Sequence, residues 1–216
     1  MNNFFSRVIT SFFLITILLI SLFLYKNLFL FLLLIASVIT FFEFNRLYKK
    51  IKKNKKKNFF FINFFTIFYL IIFVFTSYDL AKIETKILFI LLICILSDIG
   101  GYIVGKTIGG KKLTKISPKK TISGSIGSFL FSLMSITIFS LLIANTNYIF
   151  NSNIVIYTLF ISLISQIGDL FISYLKRKAK VKDTGTILPG HGGLLDRIDG
   201  ILLAIPVAFI LDKMFF

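Results

Sequence analysis

The sequence predicts an all-α protein, a polytopic integral membrane bundle of about seven transmembrane helices, and three observations predict it. The chain is 56% hydrophobic over 216 residues, with a mean hydropathy of +0.90, whereas soluble domains hold about 45–50% apolar residues. A soluble core of this size cannot bury the excess, so lipid must be the solvent for most of it. The apolar residues gather into runs of about 20, the length that carries a helix across ~30 Å of hydrocarbon. The basic residues, which bring the formal charge to +16, fall between those runs.

Seven runs qualify in turn. Ile9–Tyr25 follows Arg7 as a secretory signal would. No small-residue cleavage site follows it, and a second run, Leu28–Phe44, begins almost at once, so a retained signal-anchor hairpin is expected. The next stretch, NRLYKKIKKNKKKN from Asn45 to Asn58, is low in complexity and reads as a solvated linker facing lipid headgroups. The remaining spans are Phe59–Ser77, Ile87–Val104, Ile126–Ala144, Ile154–Leu175 and Leu195–Met214.

Three basic blocks follow the second, fourth and sixth runs: Arg46 to Lys57, Lys106 to Lys120, and Lys176 to Lys182. The loops after the first, third and fifth carry only Lys26, Lys82 and Lys86. Lys and Arg accumulate in cytoplasmic loops, so the N-terminus and the basic loops are placed in the cytoplasm and the C-terminal tail outside. This account absorbs the positive charge and removes nucleic acid as a partner. Polybasic loops attract anionic lipid headgroups instead, at about 1 kcal/mol per residue. Cys94 is the only cysteine, which excludes an intrachain disulfide and any C-x-x-C metal motif. With 28 Phe and no Trp, interfacial anchoring falls to Tyr and Lys.

Ionisable groups at membrane depth cost several kcal/mol each, so each one present is a functional hypothesis. Of the nine acidic residues, Asp98, Asp169, Asp196 and Asp199 lie in or at the ends of apolar runs. Asp196 and Asp199 are spaced i, i+3 and share a helix face. Gln166, Asp169, Ser173 and Lys176 follow the 3, 4, 3 rhythm of another face. The structural alternative is helix–helix bonding, for example Asp196 with Arg197 or Lys176. Carboxylate oxygens with open positions suit Mg²⁺ and nucleotide phosphates better than zinc.

The loop GKTIGGKKLTKISPKKTISGSIG, Gly105 to Gly127, sets Gly and Lys beside Ser and Thr, a composition that can surround phosphate. It lacks the G-x-x-x-x-G-K-[ST] order of a P-loop, and a solvated basic linker remains the alternative. His191 lies in PGHGG, Pro189 to Gly193, where flanking glycines let the backbone turn sharply or approach a ligand. Contact with a phosphate and organisation of the loop both remain open for it.

The run from Ser173 to Gly200, SYLKRKAKVKDTGTILPGHGGLLDRIDG, carries a longer pattern. Ser173 precedes Lys176 and Arg177; then come Lys182 and Asp183, Pro189, His191, Gly192 and Gly193, and finally Asp196, Arg197 and Asp199. This string resembles, position for position, the signature of the phosphatidate cytidylyltransferase (CDP-diacylglycerol synthase) family. KISPKKT, Lys115 to Thr121, resembles a second block of that family, and Ser97-Asp98 through Gly101-Tyr102 a third. The resemblance covers roughly Ser97 to Pro206. It divides the chain into residues 1–95, transmembrane helices without signature, and 96–216, the catalytic region.

The resemblance implies a nucleotidyltransferase that moves a cytidylyl group from CTP to phosphatidate with Mg²⁺, giving CDP-diacylglycerol and pyrophosphate. It implies Asp169, Asp196, Asp199 and Asp98 as metal ligands. Lys176 and Arg177 join the first three as catalytic candidates, and Ser117, Lys119, Lys120, Lys182, Asp183, His191, Gly192, Gly193 and Arg197 are implied as substrate-binding residues. Asp183 orients Lys182 or its loop in this reading. The resemblance also implies a homodimer in the bacterial inner membrane with its active site facing the cytoplasm. Two positions depart from the family pattern: Thr121-Ile122-Ser123-Gly124 stands where Thr-Trp-Glu-Gly is usual, and Ile99 follows Asp98 where a small residue is common. On the residues themselves, a transporter or ion-conducting protein with an intramembrane Asp/Lys relay is the competing class.

Overall fold

The computed structural model describes residues 3–51, 56–142, 151–187 and 192–215. Among them are seven α-helices and no strand: α1 (Asn3–Phe23), α2 (Lys26–Ile51), α3 (Lys56–Leu80), α4 (Glu84–Thr107), α5 (Ile122–Leu142), α6 (Ser152–Lys178) and α7 (Leu195–Phe215). Among the described residues each of the seven expected runs is helical, apart from the last two residues of the first, which α1 stops short of at Phe23; this gives the all-α polytopic membrane architecture the sequence predicts.

Most of the helices outlast their apolar runs. α2 continues through Arg46 to Ile51, and α6 through Lys176 to Lys178. Lys and Arg are good helix formers, and cations in a last turn complement the helix dipole, so the edge of the hydrocarbon does not end the helix. The expected solvated linker is therefore corrected: Leu47 and Tyr48 are buried within α2, and α3 begins at Lys56. Hydroxyls on lipid-length helices bond back to their own backbone, as lipid requires of polar groups. Ser37 donates to the Leu33 carbonyl at 2.8 Å, Thr40 to Ala36 at 2.7 Å and Ser77 to Phe73 at 2.6 Å.

Five stretches are long and apolar enough to cross a membrane: α2, Phe60–Leu80 of α3, α4, α5 and α6. The apolar stretch Phe12–Phe23 of α1 is shorter. α7 is not among the five, because Asp196, Arg197, Asp199, Asp212 and Lys213 load both its ends. The protein is an integral membrane protein on the strength of those five.

The chain divides into two compact units. The first comprises Met1–Glu84 and Leu175–Ile198, with Leu22, Phe29, Leu47, Leu70, Phe73 and Leu195 buried in it. α1 packs on α2 and α2 on α3. The second comprises Thr85–Tyr174 and Asp199–Phe216. Its core centres on Phe89, whose ring lies 5.1 Å from that of Phe139 and 6.4 Å from that of Tyr157, with Ile90, Ile93, Ile136 and Ile161 fully buried around them. This division follows packing rather than the signature: the segment Leu175–Ile198 joins the N-terminal helices.

Small residues let helices of the second unit touch backbone to backbone, the mode of association lipid favours. A Cβ on Gly100 would stand 2.5 Å from the Gly127 carbonyl oxygen, which presses α4 against α5. A Cβ on Gly168 would stand 2.6 Å from the Asp199 carbonyl oxygen, so α6 and α7 are equally close. At the start of α4 and end of α7, Lys86 pairs with Asp212 at 2.7 Å.

Candidate active site

In the second unit, a loop, a capped helix and two intramembrane carboxylates build one polar cavity. The segment between α4 and α5 is a small folded loop. Lys112 and Thr121 form an antiparallel bridge, Leu113 N donates to the Lys120 carbonyl at 2.8 Å, and Ile122 N donates to Lys111 at 3.0 Å. Its tip turns over Ser117–Lys120, closed by Lys120 N on the Ser117 carbonyl at 3.0 Å, with Pro118 at the second position such turns favour. Thr121 then caps α5, its hydroxyl oxygen accepting from Gly124 N at 3.0 Å. Ser123 donates to the Gly109 carbonyl and so ties the loop to the helix start.

The cavity beneath this loop has a volume of about 320 Å³. Asp98 of α4 and Asp169 of α6 line it with Ser117, Lys119, Lys120 and Gln166. Lys120 forms an ion pair with Asp169, both side chains about one quarter exposed. Ser173, one turn along α6, lies 3.2 Å from the other Asp169 oxygen and donates to it. Gln166 accepts from Ser125 at 2.6 Å. Deeper on the same helices, Ser97 and Ser162 share a 2.9 Å bond and are fully buried. Of the expected face Gln166, Asp169, Ser173 and Lys176, the first two open on the cavity and Ser173 bonds to Asp169, while Lys176 pairs with Asp196 instead.

The first unit holds a second polar cluster. Lys176 pairs with Asp196 at 2.7 Å, with 15% and 7% of their side chains exposed. The other Asp196 oxygen accepts from Thr184 N at 2.8 Å, the Thr184 hydroxyl at 2.9 Å and Gly193 N at 3.1 Å. The structural alternative weighed for Asp196, a salt bridge with Lys176, is present. Gly192 adopts a φ of +87°, which favours glycine, and a Cβ there would lie 3.3 Å from the Asp196 carboxylate.

Of the remaining expected residues, Asp183 stands against Gly192, where an added Cβ would lie 3.2 Å from the Asp183 Cβ. Arg177, Lys182, Asp183 and Arg197 are exposed. Asp199 accepts from Gly200 N at 2.9 Å in the second unit, and its residue pair with Gly200 packs on α6. His191 lies outside the described residues. Among the described residues, no three His, Cys, Asp or Glu side chains stand together as a ready set of metal ligands.

The sequence reading missed Glu43. This residue is 3% exposed on α2; it accepts from Leu194 N at 3.1 Å and Leu195 N at 2.8 Å and shares the single proton of the Thr184 hydroxyl, 2.9 Å away, with Asp196. Its signal was available: it is a carboxylate inside the expected span Leu28–Phe44, the same criterion that picked out Asp98. Thr184 was missed as well, and nothing local marks it.

A family model described as the cytidylyltransferase family matches residues 50–215. Phosphatidate cytidylyltransferase of Rickettsia bellii is 45% identical over 123 residues, covering 55% of this chain and 53% of that protein. The Bacillus subtilis protein of the same name is 45% identical over 121 residues, 55% of this chain and 44% of its own. That of Brucella suis is 36% identical over 132 residues, 61% and 48%. The chain spans about half the length of the curated relatives it matches. With the family pattern running through both units and across more than half of its length, the chain belongs to the cytidylyltransferase family.

Proposed function

We propose that this protein transfers a cytidylyl group from CTP to phosphatidate, forming CDP-diacylglycerol and pyrophosphate in phospholipid synthesis. The observation that carries the reading is the polar cavity in the second unit, where Asp98, Asp169, Lys119 and Lys120 meet within an otherwise apolar set of helices. Its volume lies at the low end of small-molecule sites, ~300–1,000 Å³, and its cations and hydroxyls suit a polyphosphate. The names of the relatives point to the same reaction. They do not favour the transporter alternative.

In the proposed reaction a phosphate oxygen of phosphatidate attacks the α-phosphorus of CTP in line. The P–O bond to the β-phosphate breaks and pyrophosphate leaves. The attacking phosphate monoester is largely anionic near neutral pH (second pKa about 6), so no strong general base is required. Lys119 and Lys120 hold phosphate oxygens, with Ser117 beside them on the loop tip.

Mg²⁺ is bound in proteins by one or two carboxylates plus substrate phosphates rather than by a full protein cage, and the Asp98–Asp169 pair fits that donor set. Bound there, Mg²⁺ would neutralise charge developing on the phosphates. Asp169 comes first in this role and Asp98 beside it, because both oxygens of Asp196 are already engaged by four donor contacts. Asp196 with Lys176 then serves to shape the Gly192–Gly193 segment. In this reading the chemistry takes place on the cytoplasmic side of a bacterial inner membrane, where CTP is available and phosphatidate enters laterally; the bias of Lys and Arg toward cytoplasmic loops supports it. A homodimer is part of the same proposal.

The test uses detergent-purified protein with phosphatidate, Mg²⁺ and CTP labelled in turn at its α and γ phosphates. The expected result is α label in the lipid phase and γ label released as pyrophosphate. Absence of lipid label over a range of Mg²⁺, lipid and detergent overturns the reading.

A further inference from the structure

Glu43 is a buried carboxylate on a helix of membrane length, far in sequence from every signature residue, and its environment is built around it. Leu194 N and Leu195 N, at the entry of α7, donate to its two oxygens at 3.1 and 2.8 Å, and the Thr184 hydroxyl approaches at 2.9 Å. Glycines close the pocket. A Cβ on Gly185 would collide with one Glu43 oxygen, and a Cβ on Gly193 would stand 2.5 Å from the other. The carboxylate therefore draws together two flanks of the signature, Thr184–Gly185 and Gly193–Leu195.

Capping α7 would not require such a group. A Ser or Asn next to the helix start satisfies orphan N–H donors without burying a charge, whereas burial of a carboxylate is expensive unless every oxygen is bonded. What Glu43 adds is a link to Asp196. The Thr184 hydroxyl lies 2.9 Å from Glu43 and 2.9 Å from Asp196, while Thr184 N and Gly193 N hold the same Asp196 oxygen. Fixing Thr184 and Gly193 fixes the rotamer of Asp196 and, with it, the 2.7 Å pair to Lys176.

We propose that Glu43 is a positioning residue for the transfer reaction, anchoring both flanks of the signature loop and, through Thr184, orienting Asp196. The inference rests on the cytidylyl-transfer reading for its catalytic half; the anchor itself stands on the contacts.

Glu43→Gln keeps the side-chain volume but turns an amide N–H₂ toward one of the three donors, so at least one bond is lost. In the full-length protein in detergent, we expect amide exchange in peptides covering 184–187 and 192–195 to accelerate about tenfold or more, with Glu84→Gln as the control. kcat per folded molecule should fall about tenfold or more, with a smaller change in KM for CTP. Thr184→Ser should retain turnover and Thr184→Val should lose it. The double variant Glu43→Gln/Thr184→Val should fall no further than the worse single one, because the two act as a unit.

Wild-type exchange rates in the flanks of Glu43→Gln overturn the proposal. So does full kcat per folded molecule in the presence of faster exchange, which would leave Glu43 a cap and nothing more. Wild-type protein that makes no lipid product sinks the cytidylyl reading and the transfer role with it, while faster exchange would still establish the anchor.

Discussion

Asp169 and Asp196 are both paired with lysine, but their surroundings set different consequences for losing the charge. The Asp169–Lys120 pair is about one quarter exposed and opens on the cavity, where water screens it, so its contribution to stability is small, about 1 kcal/mol. Asp169→Asn should therefore leave the melting temperature nearly unchanged while lowering turnover about 100-fold or more, as removal of a charge that stabilises the transferring phosphate does. Asp196 accepts four bonds in a largely buried place. Asp196→Asn should cost about 1–3 kcal/mol of stability as well as activity. Thermal melts and lipid-label assays on both variants check the contrast; a fully active Asp169→Asn would remove this carboxylate from the chemistry.

At the residue scale the sequence was legible wherever a side chain was out of place for its solvent. Asp98 and Asp169 announce themselves as charges among apolar residues, Lys120 belongs to the basic loop that follows α4, and the three line one cavity. Glu43 is announced the same way, but what it does depends on Thr184 and Leu195, 141 and 152 positions along the chain. No periodicity or local motif encodes that pairing. Thr184 is an ordinary hydroxyl until the fold places it between two carboxylates.

Among the elements, apolar length predicted every helix, and errors collect at the ends, where helix propensity and snorkelling side chains carry the helix past the hydrocarbon. Close helix contacts are the second element-scale property. α6 and α7 meet through Gly168, whose added Cβ would face the Asp199 carbonyl oxygen at 2.6 Å and the Gly200 Cα at 3.0 Å. Both obstacles are backbone, so no side chain can swing aside. Gly168→Ala should lower stability by about 1–3 kcal/mol, the usual result of overpacking. Gly101→Ala meets chiefly the Ser128 hydroxyl, which can rotate, and should cost clearly less. Paired thermal melts in one detergent test this; equal losses would mean that α6 and α7 tolerate separation.

For the whole molecule, the basic loops predict orientation. In intact cells a membrane-impermeant maleimide should label Lys82→Cys, on the loop between α3 and α4, and spare Lys115→Cys, on the loop above the cavity. The native Cys94 is buried and adds little background. The opposite pattern would turn the cavity outward, away from the cytoplasmic CTP that the proposed reaction requires.

The charges at the two ends of α7 also bear on the bilayer itself. Between Asp199 and Asp212 the helix is uncharged only from Gly200 to Leu211, a rise of roughly 18 Å against ~30 Å of hydrocarbon. At one end Lys86 neutralises Asp212; the other end begins at the signature residues. An apolar stretch this short does not match the hydrocarbon by itself. Its middle is sheltered by protein instead: Leu202, Ala204, Ile205 and Ala208 are buried, so the length mismatch of α7 falls on its neighbouring helices rather than on lipid.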